Sequence, residues 1–280
     1  MRWPPYEHVF FDCDSTLTTV EGIDILAETA DKKWRVETLT NAAMNGELDL
    51  SDVYGKRLQA IKPTRKQVKA IKQVYKHHLV EDAAAVIQTL HNLGHKVYII
   101  SGGLAEPVAE FGVWLGVPRE RIRAVGLNYN ALSGQWWQSE PNDEERYLYF
   151  EEGSLTVSDG KAEIVRELLG EQNGRSLLIG DGSSDLLASR AVDLFVGYGG
   201  VIRREKVYES APIFLNSPSL APLLTLAAGP FVLKQLAKTP YQHLIPKIQQ
   251  LIEQGAITFN DERISTKFNE AYQAVYSRPY

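Results

Sequence analysis

Cysteine is almost absent. The 280 residues contain one, Cys13, which excludes an intramolecular disulfide framework and suits a reducing compartment. Long hydrophobic runs are missing too: the most apolar stretch, near Leu220 to Leu233, is interrupted by Pro222 and Pro230 and is too short to span a bilayer. The amino-terminal MRWPPYEHVFF lacks a long apolar targeting core, so a cytoplasmic protein is expected, with no membrane partner. There is no excess of positive charge; 30 Lys and Arg against 35 Asp and Glu give −5, which argues against a global role on nucleic acid or anionic membranes. No internal repeat or low-complexity tract is present. What is there is ordinary globular composition, 44% apolar and 23% charged, in a chain long enough to bury a substantial core as one large domain or two smaller ones.

Within that composition, chemistry concentrates at strand ends. The apolar run Val9-Phe10-Phe11 leads into Asp12-Cys13-Asp14-Ser15-Thr16. Residues two apart on an emerging strand point the same way, so Asp12 and Asp14 would face one small volume with Thr16 just beyond. Two carboxylates that close require a cation or a shared proton, and a carboxylate is a competent nucleophile toward phosphorus. The same residues also make an ordinary acidic turn. Cys13, between the two aspartates, should point into the packing. Further along, Lys96 to Ile100 reads as a second buried strand ending on Ser101-Gly102-Gly103, whose hydroxyl and backbone N–H groups can hold phosphate oxygens. A third apolar run, Ser176 to Ile179, ends on Gly180-Asp181-Gly182-Ser183-Ser184-Asp185, an acidic glycine loop suited to metal ligation. Between them Lys161 opens a helical stretch and could neutralise a phosphoryl group.

Each signal alone has a bland structural reading, a turn, a surface loop or one basic residue among thirty. Together they fit the rule that open α/β sheets bind ligands beyond the carboxyl ends of their strands. The ordered set DxDxT, SGG, Lys and GDGxxD resembles the haloacid dehalogenase superfamily of aspartate-nucleophile phosphatases. That resemblance, over residues 8 to 215, implies an α/β Rossmann-like core with a parallel sheet. Glu21 to Ala27, Ala43 to Asp49, and Lys56-Arg57-Leu58 followed by Pro63-Thr64 are similar to the phosphoserine phosphatase branch. In that branch a small helical cap is inserted after the first strand.

The resemblance implies roles residue by residue. Asp12 would be the nucleophile and Asp14 the general acid and base. Ser101, Gly102, Gly103 and Lys161 would bind phosphate. Mg²⁺ would be held by Asp12, Asp181 and the backbone carbonyl of Asp14, with Asp185 supporting them. Glu21 would meet the substrate's ammonium and Arg57 its carboxylate, as fits an Arg fork and a buried carboxylate; Thr16 and Met44 are further candidate substrate contacts. The expected partner is a small phosphorylated substrate, most simply phospho-L-serine. Another small phosphomonoester stays open because Ser183-Ser184 departs from the small residue and Asn or Thr common in relatives. A non-catalytic binding protein on the same fold is the remaining alternative.

The expected organisation is a core of residues 1–20 and 79–216, a cap of 21–78, and a helical extension of 217–280 that packs on the core or forms a homo-oligomer contact. The cap's helical spacing breaks near Lys62-Pro63-Thr64. From Val53 through Val80 there is no acidic residue, so its lysines form either a solvated helix face or a lobe that attracts an anion. His77-His78 is adjacent rather than helically spaced, which fits a surface or hinge better than a metal pair. Asp82 is placed to cap a helix from Ala83, and residues 125 to 158, with Ser133-Gly134 as a turn and Trp136-Trp137 as packing, read as a strand and hairpin excursion.

Overall fold

The computed structural model describes residues 3–45, 47–133 and 142–277. β1 (His8–Phe11) is buried along its whole length, the pattern of a strand covered on both faces. The chain then leaves the sheet for four helices, α1 (Gly22–Thr29), α2 (Lys33–Met44), α3 (Leu50–Ile61) and α4 (Arg65–His77), and returns through α5 (Ala83–Asn92) to β2 (Lys96–Leu104). After α6 (Ala105–Trp114) and β3 (Ile122–Val125) come the paired strands β4 (Leu127–Asn130) and β5 (Arg146–Phe150). The second half runs α7 (Lys161–Leu169), β6 (Ser176–Gly180), α8 (Ser183–Ala188), β7 (Leu194–Tyr198), α9 (Glu205–Ser210) and β8 (Ile213–Leu215). It closes with α10 (Leu223–Ala227), α11 (Val232–Leu236), α12 (Leu244–Glu253), β9 (Ile257–Phe259) and α13 (Glu262–Ser277).

The seven-stranded sheet has the order β3-β2-β1-β6-β7-β8-β9, parallel except for β9. Strands advance outward from β1 to β3 on one side and from β6 on the other, so the order reverses at β1. A crevice opens at such a switch point. Phe11 lies opposite Ile99 on β2 and Ile179 on β6, so the three strands carrying the motifs end at one level.

The four helices α1 to α4 occupy the segment expected as the cap and are called the cap. Its break falls at Lys62, which adopts a left-handed conformation (φ 48°) after α3, and Pro63; Thr64 then starts α4 with a capping box to Gln67. Val68, Ile71 and Tyr75 form the buried face of α4. Cap and core are joined by two linkers that pair with each other: Thr18 bridges Leu79, Thr19 N–H donates to the His78 carbonyl (2.8 Å), and Val80 N–H donates to the Leu17 carbonyl (3.0 Å). His78 therefore sits in a hinge.

The basic face of α4 is a solvated face whose charges are paired, and none of its lysines lines the crevice. Arg65 pairs with Glu106 (3.2 Å) and Glu145 (3.0 Å), Lys69 with Asp143 (2.8 Å), Lys66 with Glu144 (3.7 Å), and Lys72 with Glu110. These pairs seat the cap against α6 and the segment before β5. Gly134, Trp136 and Trp137 lie outside the described residues.

The segment after 216, expected as helices, also supplies β9, which adds antiparallel to β8 with Ile213 opposite Phe259. Its apolar residues are used inside the chain: Leu244, Ile248 and Phe268 are buried, and the Phe268 ring meets Trp3 edge-on at 5.3 Å. Asp82 precedes α5 but makes no cap. Its carboxylate instead accepts from Ser219 Oγ (2.6 Å) and pairs with Lys247 of α12, because a left-handed backbone (φ 63°) turns it away from the helix start. No described helix is long and apolar enough to cross a membrane. Truncating Phe268 to Ala should lower unfolding free energy by about 3–5 kcal/mol in urea titration; a loss under about 1 kcal/mol would mean that the last helix is peripheral to the core.

Candidate active site

The end of β1 turns sharply. Backbone N–H groups of Thr16, Leu17 and Thr18 all donate to the Cys13 carbonyl (3.3, 2.8 and 3.1 Å), and Ser15 is held at φ 57°. A non-glycine residue in that region is uncommon and clusters where a site over-determines the backbone. The Cys13 side chain is fully buried in the core, while Asp12 and Asp14 reach a pocket also lined by Glu21, Tyr54, Arg57, Ser101, Gly102, Gly103, Lys161 and Ser184.

Asp12 is anchored by Lys161, whose Nζ donates to its Oδ1 at 2.7 Å and to Asp185 Oδ1 at 2.6 Å. The other Asp185 oxygen accepts the Gly182 N–H at 3.1 Å. Asp181 accepts from Arg204 Nε at 3.0 Å and from the Thr16 hydroxyl at 3.4 Å. Thr16, expected as a substrate contact, thus aims its hydroxyl at a carboxylate below the crevice.

Opposite, at the cap, Glu21 accepts from Ser15 Oγ at 2.7 Å and lies 3.9 Å from Arg204. Arg57 donates from Nη1 to Thr40 Oγ1 at 3.0 Å and stands 5.3 Å from the Tyr54 ring centre. Its Nε, like Arg204 Nη2, is buried without a hydrogen-bond acceptor. Such a donor costs about 1–3 kcal/mol and is relieved by an anionic ligand. On the turn ending β2, Ser101 Oγ accepts the Gly103 N–H (2.9 Å) and the Gly102 carbonyl accepts from Tyr54 (2.9 Å). A Cβ on Gly103 would stand 2.8 Å from Asp14 Oδ2, so a bare backbone is needed there. In the loop after β6, Ser183 donates to the Ala43 carbonyl at 3.2 Å, joining core to cap. The Met44 side chain lies outside the described residues.

Two participants had weak sequence signals. Arg204 follows the fourth strand end, where β7 is succeeded by Gly199-Gly200 and the pair Arg203-Arg204; extending strand-end reading one strand further would have found it. Tyr75 lies in a cap helix with no motif, and its hydroxyl donates to Asp14 Oδ1 at 2.5 Å.

The charges do not balance. Asp12, Asp14, Glu21, Asp181 and Asp185 are buried around three buried cations, Arg57, Lys161 and Arg204. Oxygens of Asp12, Asp181 and Asp185 all lie within 4.8 Å of one another, a hard, oxygen-only donor set that fits a divalent cation. Without one, protonation compensates. Burial, with Asp185 adding to it, pushes Asp12 well above the usual carboxylate range against the pull of Lys161. Burial pushes Asp181 up to about 7 while Arg204 opposes it, and burial together with Glu21 pushes Asp14 up to about 8. Burial would lower the Lys161 ammonium, but Asp12 and Asp185 hold it above its ordinary value.

Comparison with known proteins agrees with this geometry. A family model for haloacid dehalogenase-like hydrolases matches residues 6–119. The sequence is 32% identical over 210 residues to a phosphoserine phosphatase of Drosophila melanogaster, covering 74% of each chain. It is 30% identical over 210 residues to a phosphoserine phosphatase of Mus musculus, covering 74% of this chain and 88% of that one. Among solved structures, a phosphoserine phosphatase in the form of a phospho-aspartyl intermediate analogue shares the fold at a TM-score of 0.67 and 23% identity, covering 79% of this chain and 98% of that one.

The raised carboxyls predict how stability depends on pH. With Asp14 at about 8 and Asp181 at about 7 when folded and near 4 when unfolded, the metal-free native state binds more protons over that window. Its melting temperature should therefore fall as pH rises from about 4 to about 8, and a divalent cation added at pH 8 should raise it again. Calorimetry in chelator, then in added metal, reads both; a flat profile with no response to metal would remove the cation site.

Proposed function

The chain is a phosphatase of the haloacid dehalogenase-like hydrolases and belongs to the phosphoserine phosphatase family, and on that premise we propose that it hydrolyses phospho-L-serine to L-serine and phosphate through an aspartyl phosphate on Asp12. The observation that carries this reading is one pocket with the Asp12–Lys161 pair at the core and Glu21 with the unsatisfied Arg57 at the cap. A phosphate at the first end and an amino acid's ammonium and carboxylate at the second would satisfy both.

Asp12 attacks phosphorus in line with the serine oxygen, whose bond to phosphorus breaks. Lys161 Nζ, 2.7 Å from Oδ1, opposes the burial that favours protonation of Asp12 and aligns the nucleophile. The leaving oxygen takes a proton from Asp14, whose carboxyl is pushed up to about 8 by burial and the neighbouring Glu21 in the metal-free protein. Asp14 then removes a proton from the water that attacks the aspartyl phosphate, and the Asp12–phosphorus bond breaks. Ser101 Oγ and the backbone at Gly102 would meet the transferring oxygens, with Ser101 Oγ held in place by the Gly103 N–H. Glu21 pairs with the substrate's ammonium, and Arg57 Nε donates to its carboxylate. Asp12, Asp181 and the Asp14 carbonyl would hold Mg²⁺, with Asp185 fixed behind them by Lys161 and the Gly182 N–H. When bound, the ion supplies positive charge that lowers repulsion between nucleophile and phosphoryl oxygens.

Phosphate release from phospho-L-serine in Mg²⁺ tests this directly. Asp12→Asn should abolish turnover. Arg57→Ala should raise KM for phospho-L-serine about 10- to 100-fold, the size of a lost charged hydrogen bond, with little change in kcat. Full activity in the first variant would end the aspartyl-phosphate reading; an unaltered KM in the second would remove Arg57 from substrate recognition.

A further inference from the structure

We propose that Tyr75 is a positioning residue for the acid/base, holding Oδ1 of the Asp14 carboxyl so that Oδ2 is the oxygen presented to the pocket. The inference rests on the reading of Asp14 as general acid given above.

The two oxygens of Asp14 have different surroundings. Oδ1 accepts from the Tyr75 hydroxyl at 2.5 Å and from the Gly22 N–H at 3.4 Å. With Oδ1 occupied by two donors, Oδ2 is the oxygen left to carry and pass on a proton. Oδ2 faces the bend in the last residues of β2, close enough that a Cβ on Gly103 would stand 2.8 Å from it. That bend carries Ser101, the hydroxyl assigned to the phosphoryl oxygens. The carboxyl is thus fixed with Oδ2 toward the bond that breaks.

The approach of Tyr75 is built in rather than incidental. The residue is fully buried and its ring packs against Phe111 at 5.4 Å between centres. Its hydroxyl occupies the space left by Gly22, where a Cβ would stand 2.3 Å from it. Both donors to Oδ1 come from the cap, Tyr75 on α4 and Gly22 at the start of α1, so the carboxyl is held in this orientation only while those helices are seated.

The role extends through the proton transfer. As the serine oxygen leaves phosphorus it takes the Oδ2 proton, and Asp14 becomes a carboxylate. The Tyr75 hydroxyl continues to donate to Oδ1, now as a charge-assisted bond that stabilises the ion formed. In the second step the attacking water returns a proton to Oδ2, again with Oδ1 held. Tyr75 itself neither gives nor takes a proton.

A double-mutant cycle tests this in the full-length protein with Mg²⁺ and phospho-L-serine, read as single-turnover rate constants and steady-state KM. Tyr75→Phe should lower the rate about 10- to 100-fold with KM within about twofold, and Asp14→Asn should lower it more. The double variant should match Asp14→Asn alone, because Tyr75 acts through the group already removed. Gly22→Ala, which drives the phenol off Oδ1 without deleting it, should show the same loss and the same dependence on Asp14. A wild-type rate in Tyr75→Phe, or losses that multiply in the double variant, would overturn the proposal while Asp14 remains the acid. A wild-type rate in Asp14→Asn would instead overturn the reading of Asp14 on which it rests.

Discussion

The ammonium of Lys161, held between the carboxylates of Asp12 and Asp185, is the interaction on which the rest of the site depends. It ties the start of α7 to the end of β1 and to α8, elements brought together only by the sheet. All three side chains are almost wholly buried. Losing one partner of such a group strands charge in a low-dielectric interior at a cost of about 3–5 kcal/mol. The same ammonium opposes the burial that favours a protonated Asp12, so one contact bears on both the packing of the crevice and its electrostatics.

Five buried carboxyls around three buried cations explain why the crevice has the residues it has. The excess negative charge suits a divalent cation, and without one burial favours the protonated forms of Asp12, Asp14, Glu21 and Asp181. Asp14 is set apart within this group because, among the described residues, its partners are a phenol and a backbone N–H rather than a cation. Two aspartates separated by a single cysteine thus stand in different electrostatic surroundings, which is what the different roles proposed for them require.

Core and cap divide the work, and the remainder of the chain holds them in register. The switch point at β1 brings three strand ends to one level, and the cap carries Glu21, Arg57 and Tyr75 over them. The ion pairs along α4 seat that cap on α6 and the segment before β5. The extension reaches the hinge through Lys247 and Ser219, which hold Asp82, and β9 covers the open side of β8, a row of backbone groups that would otherwise be free to pair elsewhere.

The sequence by itself determined the α/β class, the strand ends that carry Asp12, Asp14, Ser101 and Asp181, and the break in the cap at Lys62-Pro63-Thr64, because strand burial and turn chemistry are set within a few residues along the chain. Only the tertiary structure decided where side chains meet across long separations. Thr16 finds Asp181, Arg204 finds Asp181 and Glu21, and Tyr75 finds Asp14 from 61 residues away. Asp82 was legible as a helix cap from its neighbours, but a left-handed backbone and a lysine 165 residues distant redirected it. Local pattern specifies which groups stand at a strand end or on a helix face; which of them touch is fixed by packing of whole elements, where one hydroxyl can enter only because a glycine elsewhere leaves it space.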